Sequence, residues 1–194
     1  MINGWKPHNL EIRTSILSGR VEDAITLLHE HFPSVLSTTI GHSPELYTEA
    51  RSVDRSQYIP LTSVDPTHLS LNLRILSFIE SCRTYPLPFE PPEKTSLSHS
   101  EPPKPLYNID DPDEVHNRKV SLLAKAQKLY ATVTMLQKPS DREIYHEELQ
   151  NVCGLLAYEI PEESFMSRYL SQERREAVAK QINSAILCEC AQIR

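Results

Sequence analysis

The chain has 194 residues, a formal net charge of −6 and 39% apolar residues, with 4 glycines against 15 prolines. Gly4, Gly19, Gly41 and Gly154 are too scattered to form a phosphate-cradling loop, which removes most nucleotide-dependent enzymes, and an acidic balance without a basic stripe argues against a nucleic-acid partner. No apolar run approaches the ~20 residues of a membrane span, and Met1 to Leu10 lacks the apolar stretch of a secretory signal. The expectation is a soluble protein of the cytoplasm or nucleus in which Cys82, Cys153, Cys188 and Cys190 are free thiols.

Residues 8–38 read as a helical hairpin. Leu10, Ile16 and Leu17 lead to Ser18-Gly19, where Gly19 suits a left-handed C-cap, and Val21, Ala24, Ile25, Leu28 and Phe32 follow at spacings of three and four. Pro33 stops that helix and opens a short turn over Ser34, Val35 and Leu36. Residues 37–64 are polar and turn-rich and read as a surface loop, with a short helix conceivable over Pro44 to Arg51. Asp65-Pro66 is the clearest helix start in the chain, an N-cap followed by a residue preorganised for the first helical position. The run from Leu69 to Cys82 is apolar on more than one face, which predicts a helix at the centre of a bundle.

From Thr84 to Pro112 the chain holds eight of the fifteen prolines, and its polar composition reads as a flexible linker. Pro88 to Pro91 and Pro102 to Pro105 are PxxP patterns, which could be SH3-type ligands and also arise by chance in such a segment. Asp113 is placed to cap a long helix through Val120, Leu123, Ala126, Leu129, Tyr130, Val133 and Leu136. Ser140 to Glu143 reads as a capping box for the next helix, which carries Tyr145, Leu149, Val152, Leu155 and Leu156 and ends near Tyr158. After a short segment around Phe165 and Met166, Ser171 is placed to cap a final helix with Val178, Ile182, Ala185 and Ile186. The fold class is all-α, a bundle of antiparallel helix pairs, with one helical domain over 8–83, the linker over 84–112 and a second helical domain over 113–194.

His29 and His31 lie two apart, so on a helix they point about 200° apart and cannot share an ion, and Cys188 and Cys190 have the same fault. His146-Glu147-Glu148 lacks the second histidine of a zinc-protease motif, and no cysteine or serine sits in a nucleophile signature. Surface or partner-bonded histidines, helix-surface carboxylates and packed tyrosines account for these residues. The chain is therefore expected to be no enzyme and to need no cofactor or metal. A metal-dependent helical hydrolase using the histidines is the weakest of three readings, and an adaptor for a GTPase or cytoskeletal partner is the second.

The first reading rests on a resemblance. Ile16-Leu17-Ser18-Gly19-Arg20-Val21-Glu22-Asp23-Ala24-Ile25, followed by Phe32-Pro33-Ser34-Val35-Leu36, resembles a CTLH motif, and Leu71 to Glu80 resembles its next helix with the Phe-Ile-Glu ending. Gly154-Leu155-Leu156-Ala157-Tyr158, Arg175-Glu176-Ala177-Val178 and Ile182 to Leu187 resemble a CRA domain. In this order the motifs are similar to the CTLH–CRA region of RanBPM-type proteins. The resemblance implies a non-catalytic scaffold subunit or fragment of a GID/CTLH-type E3 ubiquitin ligase, paired with other LisH-CTLH-CRA subunits and open to self-association. Within the sequence no LisH motif precedes residue 8, and no SPRY domain or RING array occurs, so receptor docking and ligase chemistry are not carried over. Without a LisH cover the Val178/Ile182/Ile186 stripe is expected to stand bare, which invites a partner helix. The residues expected at a partner interface are those three with Arg174, Arg175 and Lys180, read as a solvated face, and the turn of Phe165, Met166 and Tyr169.

Overall fold

A computed structural model describes residues 5–37, 63–89 and 104–192. Among them are seven α-helices and no strand: α1 Trp5–Leu17, α2 Val21–His31, α3 Pro33–Leu36, α4 Pro66–Cys82, α5 Pro112–Thr134, α6 Pro139–Cys153 and α7 Gln172–Gln192. Three short 3-10 segments, Gly154–Ala157, Pro161–Glu163 and Phe165–Leu170, connect α6 to α7.

The helix boundaries follow from local chemistry. Gly19 has φ +78, the left-handed conformation that turns the chain from α1 into α2 within a few residues. Phe32 ends α2 and Pro33 starts α3. Asp65 accepts a hydrogen bond from the Thr67 amide at 2.8 Å with Pro66 beside it, the cap the sequence announces. α5 starts by the same device two residues before the expected cap: Asp111, not Asp113, accepts from the amides of Asp113 and Glu114, and Pro112 takes the first helical position. The Ser140–Glu143 capping box does not form. Pro139 already occupies the first turn of α6, which puts Lys138 at the N-cap with no side-chain cap bond.

α4 is the axis of the molecule, with nine of its residues buried. Its Leu71, Ile75, Phe78, Ile79 and Cys82 join Leu122, Ala126, Leu129 and Val133 of α5, Tyr145, Leu149 and Val152 of α6, and the 3-10 residues Leu155, Met166 and Leu170 in one core. Leu69, Leu73 and Leu76 face the other way, into a second core of Ile12 and Ile16 of α1, Ala24 and Leu28 of α2, Val35 of α3, and Val178, Ile182 and Ile186 of α7. The helical segments on either side of 84–112 thus do not keep separate cores. α7 returns across the chain to lie against α1, α3 and α4.

The described ends of the 84–112 segment are tied down rather than free. The Glu162 carboxylate accepts from the Thr84 and Tyr85 amides at 2.8 and 3.0 Å, the Leu106 amide donates to the Thr84 carbonyl, and the Arg118 guanidinium sits over the Tyr107 ring. Both PxxP patterns run into residues 90–103, and the helix expected over 44–51 falls in 38–62. Both stretches lie outside the described residues.

Candidate interaction surfaces

At the C-terminal end of α4, one carboxylate meets two guanidinium groups. Glu80 accepts from Arg175 Nε at 2.9 Å and Nη2 at 2.7 Å, and from Arg83 Nε at 2.5 Å. The remaining guanidinium hydrogens go to carbonyls. Arg175 donates to Leu17 and Leu87, and Arg83 donates to Leu170. Burial by itself raises the Glu80 carboxyl; the hydrogen bonds from Arg175 and Arg83 outweigh it and hold the group below the ordinary carboxylate value. This hub joins the end of α1, the end of α4, the segment after it, the last 3-10 segment and the start of α7. It also needs Gly19: a Cβ there would stand 2.6 Å from Arg175 Nη2 and 3.0 Å from Glu80 Oε2.

A second polar chain bridges the two cores. Tyr145 Oη donates to Asn72 Oδ1 at 3.0 Å, Asn72 Nδ2 donates to Gln181 Oε1 at 2.9 Å, and Gln181 Nε2 donates to the Ser63 carbonyl at 2.9 Å. Asn72, Gln181 and Tyr145 are all buried, so satisfied polar pairing there fixes the register of α4, α6 and α7. Beside it, His68 Nδ1 lies 2.8 Å from Ser63 Oγ, and His68 Nε2 lies 3.0 Å from Asp141 Oδ2. These are the residue types of a nucleophilic relay. The Ser63 hydroxyl, however, accepts from the Asp65 amide in the turn before α4, so the group serves as a joint between that turn, α4 and α6.

The structure redistributes the expected interface residues. Arg175 is 2% exposed and belongs to the hub, which corrects its reading as part of a solvated face. Val178, Ile182 and Ile186 are core residues: α1, α3 and α4 supply the cover that the sequence reading found missing. Asn9 of α1 donates to Asn183 of α7 at 2.9 Å and seals that contact. Met166 is buried against Gly154, where a Cβ would come within 2.7 Å of its Cε, so it too is interior. Arg174 pairs with Glu148 of α6 and lies over the half-buried Tyr169 ring, which Arg168 also approaches. Phe165, at 72% exposure, and Lys180 remain on the surface. Phe165 meets Tyr158 edge to face at 5.7 Å between ring centres.

α5 also leaves two large apolar residues half-exposed. Ala126, Leu129, Val133 and Leu136 of the expected stripe are buried, with Leu122 inward in place of its neighbour Leu123, and Val120 and Leu123 are each 52% exposed on the outside. An open cleft of about 420 Å³ between α5 and the end of α4 is lined by Glu80, Glu114, Arg118 and Lys125 beside Leu106 and Leu122, and its Arg118 is already engaged with the Ser81 and Arg83 carbonyls.

Over residues 8–193 the sequence matches the family described as the CTLH/CRA C-terminal to LisH motif domain. The chain belongs to the CTLH/CRA family. No curated protein and no solved structure matched it. CTLH/CRA domains are protein-interaction domains, and this chain carries one across nearly its whole length. Its motif residues now have physical roles. In the CTLH/CRA chain Gly19, Glu80 and Arg175 build the hub, Gly154 admits Met166, and Phe32-Pro33 breaks α2 from α3. They make the joints of the domain rather than its outer surface.

Among the described residues of the CTLH/CRA chain, no three His, Cys, Asp or Glu side chains gather to hold a metal ion, and no helix is long and apolar enough to cross a membrane. Its four cysteines form no disulfide. Burial pushes the Cys82 thiol up to about 12, and burial also raises Cys153, so neither is a thiolate nucleophile at neutral pH.

Proposed function

We propose that this chain is a non-catalytic scaffold subunit of a GID/CTLH-type E3 ubiquitin ligase, working in the cytoplasm or nucleus and pairing with other LisH-CTLH-CRA subunits. The observation that carries the reading is the family match over 8–193 to one protein-interaction domain. The interior supports it. Two cores share α4, and the Glu80–Arg175–Arg83 hub ties together segments from residue 17 to residue 175, which yields a rigid body suited to presenting fixed outer surfaces. The motif order, similar to RanBPM-type proteins, points to the ligase rather than to another assembly.

Affinity purification of the tagged chain from its native cells, followed by mass spectrometry, tests the reading. Recovery of a RING subunit together with other LisH-CTLH-CRA proteins is the expected result. A reproducible partner set lacking all of these removes ubiquitination from the account and leaves a protein-interaction domain.

A further inference from the structure

We infer that the body of this chain does not need residues 90–103: a molecule cut between Phe89 and Lys104 stays one folded particle made of two interlocked pieces. The inference goes beyond the scaffold reading and does not depend on it. A protease acting there, or sequence inserted there, would change the chain and leave the body assembled.

A cut at that point leaves α1 to α4 on one piece and α5 to α7 on the other. Neither core belongs to a single piece. In the first core, Leu71, Ile75, Phe78, Ile79 and Cys82 of α4 fill the space between α5, α6 and the 3-10 segments. In the second, Val178, Ala179, Ile182, Ala185 and Ile186 of α7 fill the space left by α1, α2, α3 and the other side of α4. Each piece lends the other a core helix, so parting them would return two apolar stripes to water at once. Polar ties cross the same boundary. Arg175 reaches Glu80 and the Leu17 carbonyl, Tyr145 and Gln181 both bond Asn72, and Asp141 meets His68. Separation would leave the buried members of these pairs without partners.

The chain on either side of the cut is held as well. The Leu106 amide donates to the Thr84 carbonyl at 2.8 Å, so the path from Tyr85 to Pro105 starts and finishes at one point of the body. Around that point Glu162 accepts from the Thr84 and Tyr85 amides, and Arg118 of α5 donates to the Ser81 and Arg83 carbonyls. Arg175 holds the Leu87 carbonyl at 3.0 Å and Phe89 packs against the second core, which fixes the first piece up to its last residues. The entropy of closing a loop changes only slowly with loop length. A connection whose two ends are already pinned together by their neighbours therefore adds little to holding them there.

The test replaces residues 90–103 of the full chain with a Gly/Ser stretch of equal length that holds a specific protease site. Before cleavage the melting temperature should lie within about 2 °C of wild type. After cleavage, shown complete on a denaturing gel, size-exclusion chromatography at micromolar concentration should return both pieces in one peak at the uncut position. The helical circular dichroism spectrum should be unchanged, and melting should become concentration-dependent, as it does for two chains in one body. A melting temperature lowered by more than about 5 °C before cleavage would mean that residues 90–103 belong to the body. Two peaks, or helix lost on cleavage, would mean that the covalent connection holds the halves together. Either result overturns the inference.

Discussion

α5 and α7 are the two longest helices among the described residues, and the chain treats their apolar residues in opposite ways. α7 is enclosed by α1, α3 and α4, and even its arginine at the first turn is buried on a carboxylate. α5 commits one side to the core and keeps Val120 and Leu123 outside. An apolar stripe therefore does not by itself mark a partner surface. What matters is whether the chain brings its own element back to cover it, and for α7 that element is α1, more than 150 residues away in sequence.

The largest effect should come from the hub that seats α7. Glu80→Ala leaves two buried guanidinium groups without their carboxylate and should cost about 3–5 kcal/mol in urea denaturation. A loss below about 1 kcal/mol would mean that the carbonyls of Leu17, Leu87 and Leu170 suffice. Next is Ile182→Ala in the α7 core, expected at about 2–5 kcal/mol, with a change near zero returning that stripe to the surface. Gly19→Ala should destabilise by about 1–3 kcal/mol, because φ is positive there and the methyl group meets Arg175.

The pH dependence sharpens the same point at smaller amplitude. Glu80 is held below its ordinary value in the folded chain, so its contribution is complete above the unfolded carboxylate pKa of about 4.3. It is lost as pH falls through the lower folded value. Acid titration of the urea midpoint should show this loss, and Glu80→Gln should flatten that part of the curve. The smallest effect belongs to α5: Leu123→Ser should stay within about 0.5 kcal/mol of wild type, and a larger loss would place Leu123 in the core after all.

Features set by neighbouring residues were legible in the sequence. Asp65-Pro66, Gly19 and Phe32-Pro33 each specify a helix boundary within a few positions, and the all-round apolarity of Leu69 to Cys82 announces a central helix. Asp111-Pro112 carried the same signal as Asp65-Pro66 and was passed over for Asp113. On α5 the positions Ala126, Leu129 and Val133 were legible as core, but Leu122 and Leu123 are adjacent, and only α4 and α6 decide between them. The Ser140 capping box failed against Pro139, whose ring fixes the helix start earlier. Arg175 was misread for another reason. Its partners, Leu17, Glu80 and Leu87, are distant in sequence, and periodicity shows a charged residue only as a surface residue. Val178, Ile182 and Ile186 of α7 went to the core by the same long-range packing, while Lys180 stayed on the surface.

The return of α7 to α1 has a consequence for synthesis. While the chain is being made, α1 and α2 emerge before α7, and the helix that completes their core begins 155 residues after Leu17. At roughly 5–20 residues per second, Ile12, Ile16, Ala24 and Leu28 wait on the order of ten to thirty seconds with one wall missing. A chain stopped before α7 would display those residues as a sticky hairpin, ready to be held by a chaperone or removed.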